Sequence, residues 1–524
     1  MSGFTLLDLL IVIFYLIGIA AAGIRLAGRQ KSSHDYFLGA HNVPWWAVLF
    51  SIVATETSAL TVISVPAVAY TGNLTFLQIT FGYFLGRVIV ALIFLPRYFY
   101  HQLETAYDFI GQRFGQGLRR AASLTFMVTR LLADGVRVFA CAIPVAMIFR
   151  LLGIKSSPFA IYAASILIVS LVTLIYTYLG GLRAVIWTDA LQLGLYLSGA
   201  FLAIILISAR LPQGIISALT FLHDHNKLRL FSSGITLNWK EFLAEPYTLL
   251  VALVGGAFFS LASHGTDQLI VQRLLATKKL AASQKALIGS GLFIIFQFTL
   301  FLFLGLGLFA FYQGRNPADL GLATADEVFI KFIVEEMPPG ASGLIIAAIL
   351  AAAMSTLASA INSLASSTFF DLGLKKIKKR ADVALESLRL SRLFTLFWGI
   401  IIFISALFFA HLQLSSPEKR PAVIELGLGI ASYTYGGLLG LFFLGLLMPQ
   451  AGKRAAYTGF FTGLVALLFM VKGPLQALLP GEGISLAWPL YVVAGASLVI
   501  LIGGLFSLAR ITNRKKRPFS FPGS

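Results

Sequence analysis

Six consecutive residues, Ala54-Thr55-Glu56-Thr57-Ser58-Ala59, sit in the middle of an apolar run from Pro44 to Tyr70. Thr55, Glu56, Thr57 and Ser58 each carry a hydroxyl or a carboxyl. Lipid offers such groups no partners, so a cluster of this kind inside a membrane helix must face a protein cavity or a bound ligand. Thr and Ser also compete with the helical ladder for backbone groups. Unwinding at this point would free carbonyls to hold a cation, as in transporters built on broken helices. Hydroxyls that join packed helices are the alternative use of Ser and Thr, but that use does not account for Glu56.

The stretch 341–371 supplies a second set. Its centre reads Ala352-Ala353-Met354-Ser355-Thr356-Leu357-Ala358-Ser359-Ala360-Ile361-Asn362-Ser363. Ser355, Ser359 and Ser363 recur every fourth residue, which puts them on one face of a helix. Hard oxygen ligands suit a small alkali cation, whereas a soft metal needs Cys or His clusters that this sequence lacks. Two hydroxyls from this helix, the Ala352 carbonyl and the carbonyls of Ala54 and Thr57 would make roughly five oxygens, a shell for a hard cation. A small-residue packing face is the other use of such a stripe. Asp189, within Gly180-Gly-Leu-Arg-Ala-Val-Ile-Trp-Thr-Asp189-Ala-Leu-Gln192, lies near the inner end of an apolar span. A carboxylate at that depth needs either an Arg or Lys partner or a cation leaving the site.

The elements that must position these residues are membrane helices. Of the 524 residues 58% are hydrophobic and 12% charged, with a mean hydropathy of +0.86. Apolar stretches long enough to cross a bilayer recur along the chain, and the strand alternation of a barrel is absent. The expected fold is an all-α polytopic membrane protein. Thirteen spans are expected, at about 4–25, 44–71, 75–99, 118–150, 158–180, 183–208, 246–270, 283–312, 341–371, 390–412, 424–447, 455–472 and 487–509. Met1 to Ala27 has no basic leader region and reads as a retained first span. The single cysteine, Cys141, cannot form an intrachain disulfide.

The net charge of +18 is concentrated in alternate loops. These hold Arg25, Arg29 and Lys31; Arg97, Arg113, Arg119 and Arg120; Arg273, Lys278, Lys279 and Lys285; Lys375, Lys376, Lys378, Lys379 and Arg380; Lys453 and Arg454; and Arg514 to Arg517. The positive-inside rule puts them in the cytoplasm, with the N-terminus outside and the C-terminus inside. Anionic membrane lipids then account for the basic excess, and no nucleic-acid partner is expected. The long loops on the other side are 210–245 and the acidic 314–340, in which 324–336 could form a short helix. The spans 44–71 and 246–270 both break into polar and small residues, the second at Ser260–Asp267. Lying five spans apart, they enter the membrane from opposite sides, the arrangement of an inverted-repeat transporter.

Gly180–Gln192, the Ala-Thr-x-Thr-Ser-Ala segment, Asp267-Gln-Leu-Ile-Val-Gln-Arg273 and the Ser355–Ser363 stripe together resemble the sodium:solute symporter family, from the first span to at least residue 447. The resemblance implies a core of five plus five helices, the first and sixth broken, with one span before it and two after. The implied units are 1–43 (extra span and cytoplasmic loop), 44–209 (first repeat), 210–245 (extracellular loop), 246–450 (second repeat), 451–510 (two further spans) and 511–524 (basic tail). By position, the family's principal sodium site falls on Ala54, Thr57, Ala352, Ser355 and Thr356. A second sodium would use Asp189, Ser355 and Ser359, but Ala358 stands where two-sodium members carry Ser or Thr.

For the solute, Ser58-Ala-Leu-Thr61 and the segment around Pro66 look more like the sialic acid members than the sugar members. Arg137 could offer its two-pronged guanidinium to a carboxylate, or could simply neutralise Asp134 one turn away. Glu56, Ser58, Thr61, Gln78, Thr80, Ser260, Ser263, His264, Tyr433 and Tyr435 complete the candidate wall. The expectation is a non-enzymatic, sodium-coupled symporter of a small solute, carboxylate-bearing in preference to a neutral sugar or amino acid, in the plasma membrane of a bacterial cell. It needs no organic cofactor and no obligatory protein partner. A solute sensor is the rival of a different class. No phosphate-binding loop, metal cluster or nucleophile–base pair supports a pump or an enzyme.

Overall fold

The computed structural model of the protein describes residues 4–151, 153–212, 214–322, 324–372, 382–415, 423–471 and 484–515. Every regular element among them is a helix. In chain order these are α1 (Leu6–Leu26), α2 (Ser33–Leu38), α3 (Trp45–Glu56), α4 (Ala59–Thr71), α5 (Leu77–Ile89), α6 (Leu95–Tyr100), α7 (Ala106–Phe114), α8 (Gln116–Leu151), α9 (Pro158–Ala209) and α10 (Gly214–Asp224). The second half holds α11 (Trp239–Ala244), α12 (Leu249–Gly265), α13 (Gln268–Leu275), α14 (Leu280–Phe311), α15 (Glu327–Glu335), α16 (Ala341–Asp371), α17 (Asp382–Ser415), α18 (Val423–Leu447), α19 (Lys453–Met470) and α20 (Leu490–Lys515).

Eight helical stretches among the described residues are long and apolar enough to cross a membrane, or nine with the sharply bent pair Ser33–His41 and Trp45–Glu56. That is fewer than the thirteen expected, because length and hydropathy fail wherever a helix is broken or carries charge. Expected spans 158–180 and 183–208 are the two halves of α9, which counts once in that total although the backbone leaves helical geometry between them at Gly181 (φ 57°, ψ −157°). A Cβ on Gly181 would lie 2.5 Å from the Tyr36 carbonyl oxygen, so only glycine fits there. The cluster Lys375–Arg380 and the tail beyond Lys515 lie outside the described residues.

Helix α16 is the central pillar. Of its best membrane window 94% is buried, against 22% for the peripheral α1. Its many Ala and Ser side chains let neighbouring backbones approach closely. It touches α1, α3, α4, α8, α9, α13 and α17. Both expected interruptions occur. Thr57 and Ser58 separate α3 from α4, and Thr57 adopts an extended backbone (ψ 101°). Thr266 and Asp267 separate α12 from α13, and Asp267 is likewise extended (ψ 122°). Helix α14 packs against α4 through Gly305, where a Cβ would meet the Pro66 carbonyl at 2.1 Å. The loop 210–245 contains α10 and α11, and the segment 324–336 contains α15, whose Val328, Phe329, Phe332 and Ile333 are buried.

Candidate functional site

At the first break the backbone stops pairing with itself and turns its oxygens toward α16. The Ser355 hydroxyl donates to the Ala54 carbonyl at 2.9 Å and lies 3.1 Å from the Ala352 carbonyl. The Thr356 hydroxyl lies 3.2 Å from Ala352 O, 3.3 Å from Thr55 O and 3.5 Å from Thr57 O. All five expected cation-site residues are therefore mutually adjacent, and all are buried. The Thr55 carbonyl joins them. Gln297 of α14 braces the break by donating to the Thr57 hydroxyl at 2.6 Å. These are neutral oxygens packed without an intervening carboxylate, a donor set suited to a monovalent hard cation.

One turn back along α3, at Ser51, Asp189 is held by α3 and α13. Its Oδ2 accepts from Ser51 at 2.6 Å and lies 3.2 Å from Arg273 Nη2. Arg273 also donates from Nε to Ser51 at 2.8 Å and from Nη1 to the Leu269 carbonyl at 2.6 Å, and its Nη2 donates to Ser359. Both side chains of the ion pair are wholly buried. Of the two partners considered for Asp189, the structure supplies the arginine. Asp189 and Ser359 are brought together around that guanidinium, while Ser355 turns toward Ala54.

Beyond the first break lies a cavity of about 360 Å³. Glu56, Ser58, Thr61, Arg137, Ser263 and Tyr435 of the expected wall line it, and its mouth is formed by Pro246, Tyr247, Ala325 and Asp326 from the two long loops. Burial at the mouth raises the Asp326 carboxyl above its ordinary pKa. Arg137 Nη1 donates to Asp134 Oδ1 at 3.0 Å, as the local spacing suggested. Asp134 is shared, however, for Arg130 Nη1 lies 3.6 Å from the same oxygen. Arg137 is the more exposed of the two arginines, with 19% of its side chain accessible, and its remaining N–H groups are available to the cavity it lines.

Five expected wall residues do not reach this cavity. Gln78 donates to the Tyr247 and Thr75 carbonyls, Thr80 to the Leu77 carbonyl and Ser260 to the Tyr83 carbonyl. Tyr433 packs on Tyr491 in a separate apolar cluster. Residues two apart on a helix point in nearly opposite directions, so Tyr433 and Tyr435 could not both face the solute. His264 sits behind the wall, its Nε2 2.6 Å from Glu56 Oε1.

Sequence reasoning missed the partners of these groups. Arg87 of α5, wholly buried, donates from Nη2 to both oxygens of Glu56 at 2.7 and 2.5 Å, and from Nη1 to Ser290 at 3.0 Å. Its signal was an arginine at the middle of the expected span 75–99, well inside Arg97 at its end. At the second break, Asp267 accepts from Tyr435 at 2.5 Å and from Arg130, and also caps α13 through the Leu269 amide at 2.8 Å. Each break is thus pinned to neighbouring helices by an arginine–carboxylate pair.

Two interrupted helices, neutral oxygens gathered at the first interruption and a cavity beside them fit an ion-coupled membrane transporter. The model of the sodium:solute symporter family matches residues 36–463, and the chain belongs to that family. It is 31% identical over 462 residues to the sodium/sialic acid symporter SiaT of Proteus mirabilis, covering 87% of each chain. It is 28% identical over 481 residues to the sodium-coupled monocarboxylate transporter 1 of Homo sapiens, covering 90% of this chain and 74% of that one. A solved substrate-bound, outward-open Na+-coupled sialic acid symporter superposes with a TM-score of 0.81 at 28% identity, over 96% of this chain and 98% of that one.

Proposed function

We propose that this symporter carries one sodium ion together with one small carboxylate-bearing solute into a bacterial cell, by alternating access through the plasma membrane. The observation that carries the reading is the meeting of the Ala54, Thr57 and Ala352 carbonyls with the Ser355 and Thr356 hydroxyls beside the cavity. Thirteen crossings, five plus five of them forming the inverted core, with the N-terminus outside and the C-terminus inside, agree with the basic loops and the paired breaks. In that orientation the cavity mouth at Tyr247 and Asp326 faces outward. Uptake into proteoliposomes, with and without an inward sodium gradient, tests the reading. A protein that binds solute but moves none would be a sensor instead.

Ala358 at the place of an expected ligand supports a stoichiometry of one, as does Arg273, whose guanidinium contacts both Asp189 and Ser359. Uptake should rise hyperbolically with sodium. A sigmoidal rise that Asp189→Asn converts to a hyperbola would establish a second coupled ion.

The carboxylate is assigned to Arg137, opposite Ser58 and Thr61. Arg137→Lys keeps the charge but loses the paired donors, and should weaken binding by about 1.5–3 kcal/mol, roughly ten- to a hundredfold. Direct binding of a sialic acid and of pyruvate, each against its amide, checks this. The Asp134–Arg137 pair favours a second reading, in which Arg137 is structural and the solute is a neutral sugar or amino acid. Equal binding of acid and amide would decide for it.

A further inference from the structure

Where α3 and α14 begin, the surface carries an open concavity of about 350 Å³ remote from the solute cavity, lined by Asn42, Pro44, Trp45, Lys278, Lys279 and Lys285 among others. None of its lining residues is acidic. The three ammonium groups form no ion pair among the described residues. Three uncompensated cations around one hollow repel each other unless an anion lies between them.

The backbone adds to the same field. Both helices start at this hollow, and neither Pro44 nor Lys279, their N-cap residues, supplies a side-chain cap. Their first amides therefore point outward without protein acceptors from a cap, and the helix dipoles are positive there. The two walls are joined, since Val43 N donates to the Ala276 carbonyl at 3.1 Å and His41 Nδ1 lies 2.6 Å from the Leu275 carbonyl. The hollow lies at the seam between the segment that leads into α3 and the one that leads from α13 into α14.

Its level in the membrane follows from its neighbours. Trp45 and Trp46 are 43% and 41% exposed, as tryptophans of the interfacial belt are. Further along α14, Leu292 and Phe296 present apolar surface at 58% and 47% exposure, which only acyl chains would cover. We propose that this concavity binds the phosphate of an anionic phospholipid in the inner leaflet, with Lys278, Lys279 and Lys285 on the headgroup and the α14 surface along its chains. The leaflet follows from the orientation proposed above; the site itself does not depend on transport. A free phosphate ion would use the lysines but not the apolar surface beneath them.

The test is native mass spectrometry of the purified full chain titrated with phosphatidylglycerol or phosphatidylcholine, with inorganic phosphate as competitor. The parent should retain phosphatidylglycerol in preference, and millimolar phosphate should not displace it. The triple variant Lys278→Gln, Lys279→Gln, Lys285→Gln should lose that preference by on the order of a hundredfold, from about fivefold per basic residue near the surface. The corresponding triple Arg variant should keep it, as should Lys31→Gln with Lys453→Gln. Equal retention of both lipids by the parent, retention by the triple Gln variant, or displacement by phosphate alone would each overturn the proposal.

Discussion

Replacing external sodium with choline should abolish uptake, and Ser355→Ala should raise the sodium needed for half-maximal uptake at least about tenfold. The Ser355 hydroxyl is wholly buried and touches two of the three carbonyls of the proposed cage. Alanine removes that oxygen and leaves the Ala54 carbonyl without its donor. A bond to a charged group is worth about 1.5–3 kcal/mol, which is a factor of ten or more in affinity. Folding should survive, because the change is small and the neighbouring Thr356 still joins α16 to the break. Thermal unfolding measured alongside separates loss of sodium binding from loss of structure. Uptake that persists in choline, or a Ser355→Ala variant with parental sodium dependence, would remove the coupling ion from this site.

The largest stability effect is expected at Asp189 and Arg273. Both are inaccessible to solvent, and Arg273 reaches Ser51, Leu269 and Ser359 as well as Asp189. Arg273→Met leaves a carboxylate buried without its counter-charge, and should cost about 3–5 kcal/mol. Asp189→Asn added to that variant removes the stranded charge and should restore most of the loss. Unfolding in detergent for the parent, both single variants and the double variant gives the coupling energy directly. If the double variant is no more stable than Arg273→Met alone, the pair does not hold α13 to α9, and Asp189 is free to serve a cation. The result bears on function too, because the same guanidinium contacts both Asp189 and Ser359, two of the residues expected for a second sodium.

Much of this was legible in residue order. The Ala54–Ala59 cluster announced a break, and the extended Thr57 lies within it. The stretch Ser260–Asp267 announced a second, and the break falls at its end. The repeat of Ser355, Ser359 and Ser363 put hydroxyls on one face of α16, since a helix repeats every 3.6 residues whatever surrounds it. Its neighbour Thr356 was assigned by family resemblance, not by periodicity.

What residue order could not show was the partner of each charge. Glu56 stood out as unexplained, but its counter-ion Arg87 is 31 residues away on another helix, and the position of α5 depends on its packing against α12. Arg130 has Asp134 one turn along its own helix, yet its closest carboxylate is Asp267, 137 residues later. Gln78, Thr80, Ser260 and Tyr433 have the right chemistry for a polar wall, but each instead meets a backbone carbonyl away from the cavity. Periodicity, breaks and charge bias are local properties and so belong to the sequence by itself. Rotation and depth are set by the close packing of whole helices, which is why only the tertiary structure decided which charges pair and which side chains meet the solute.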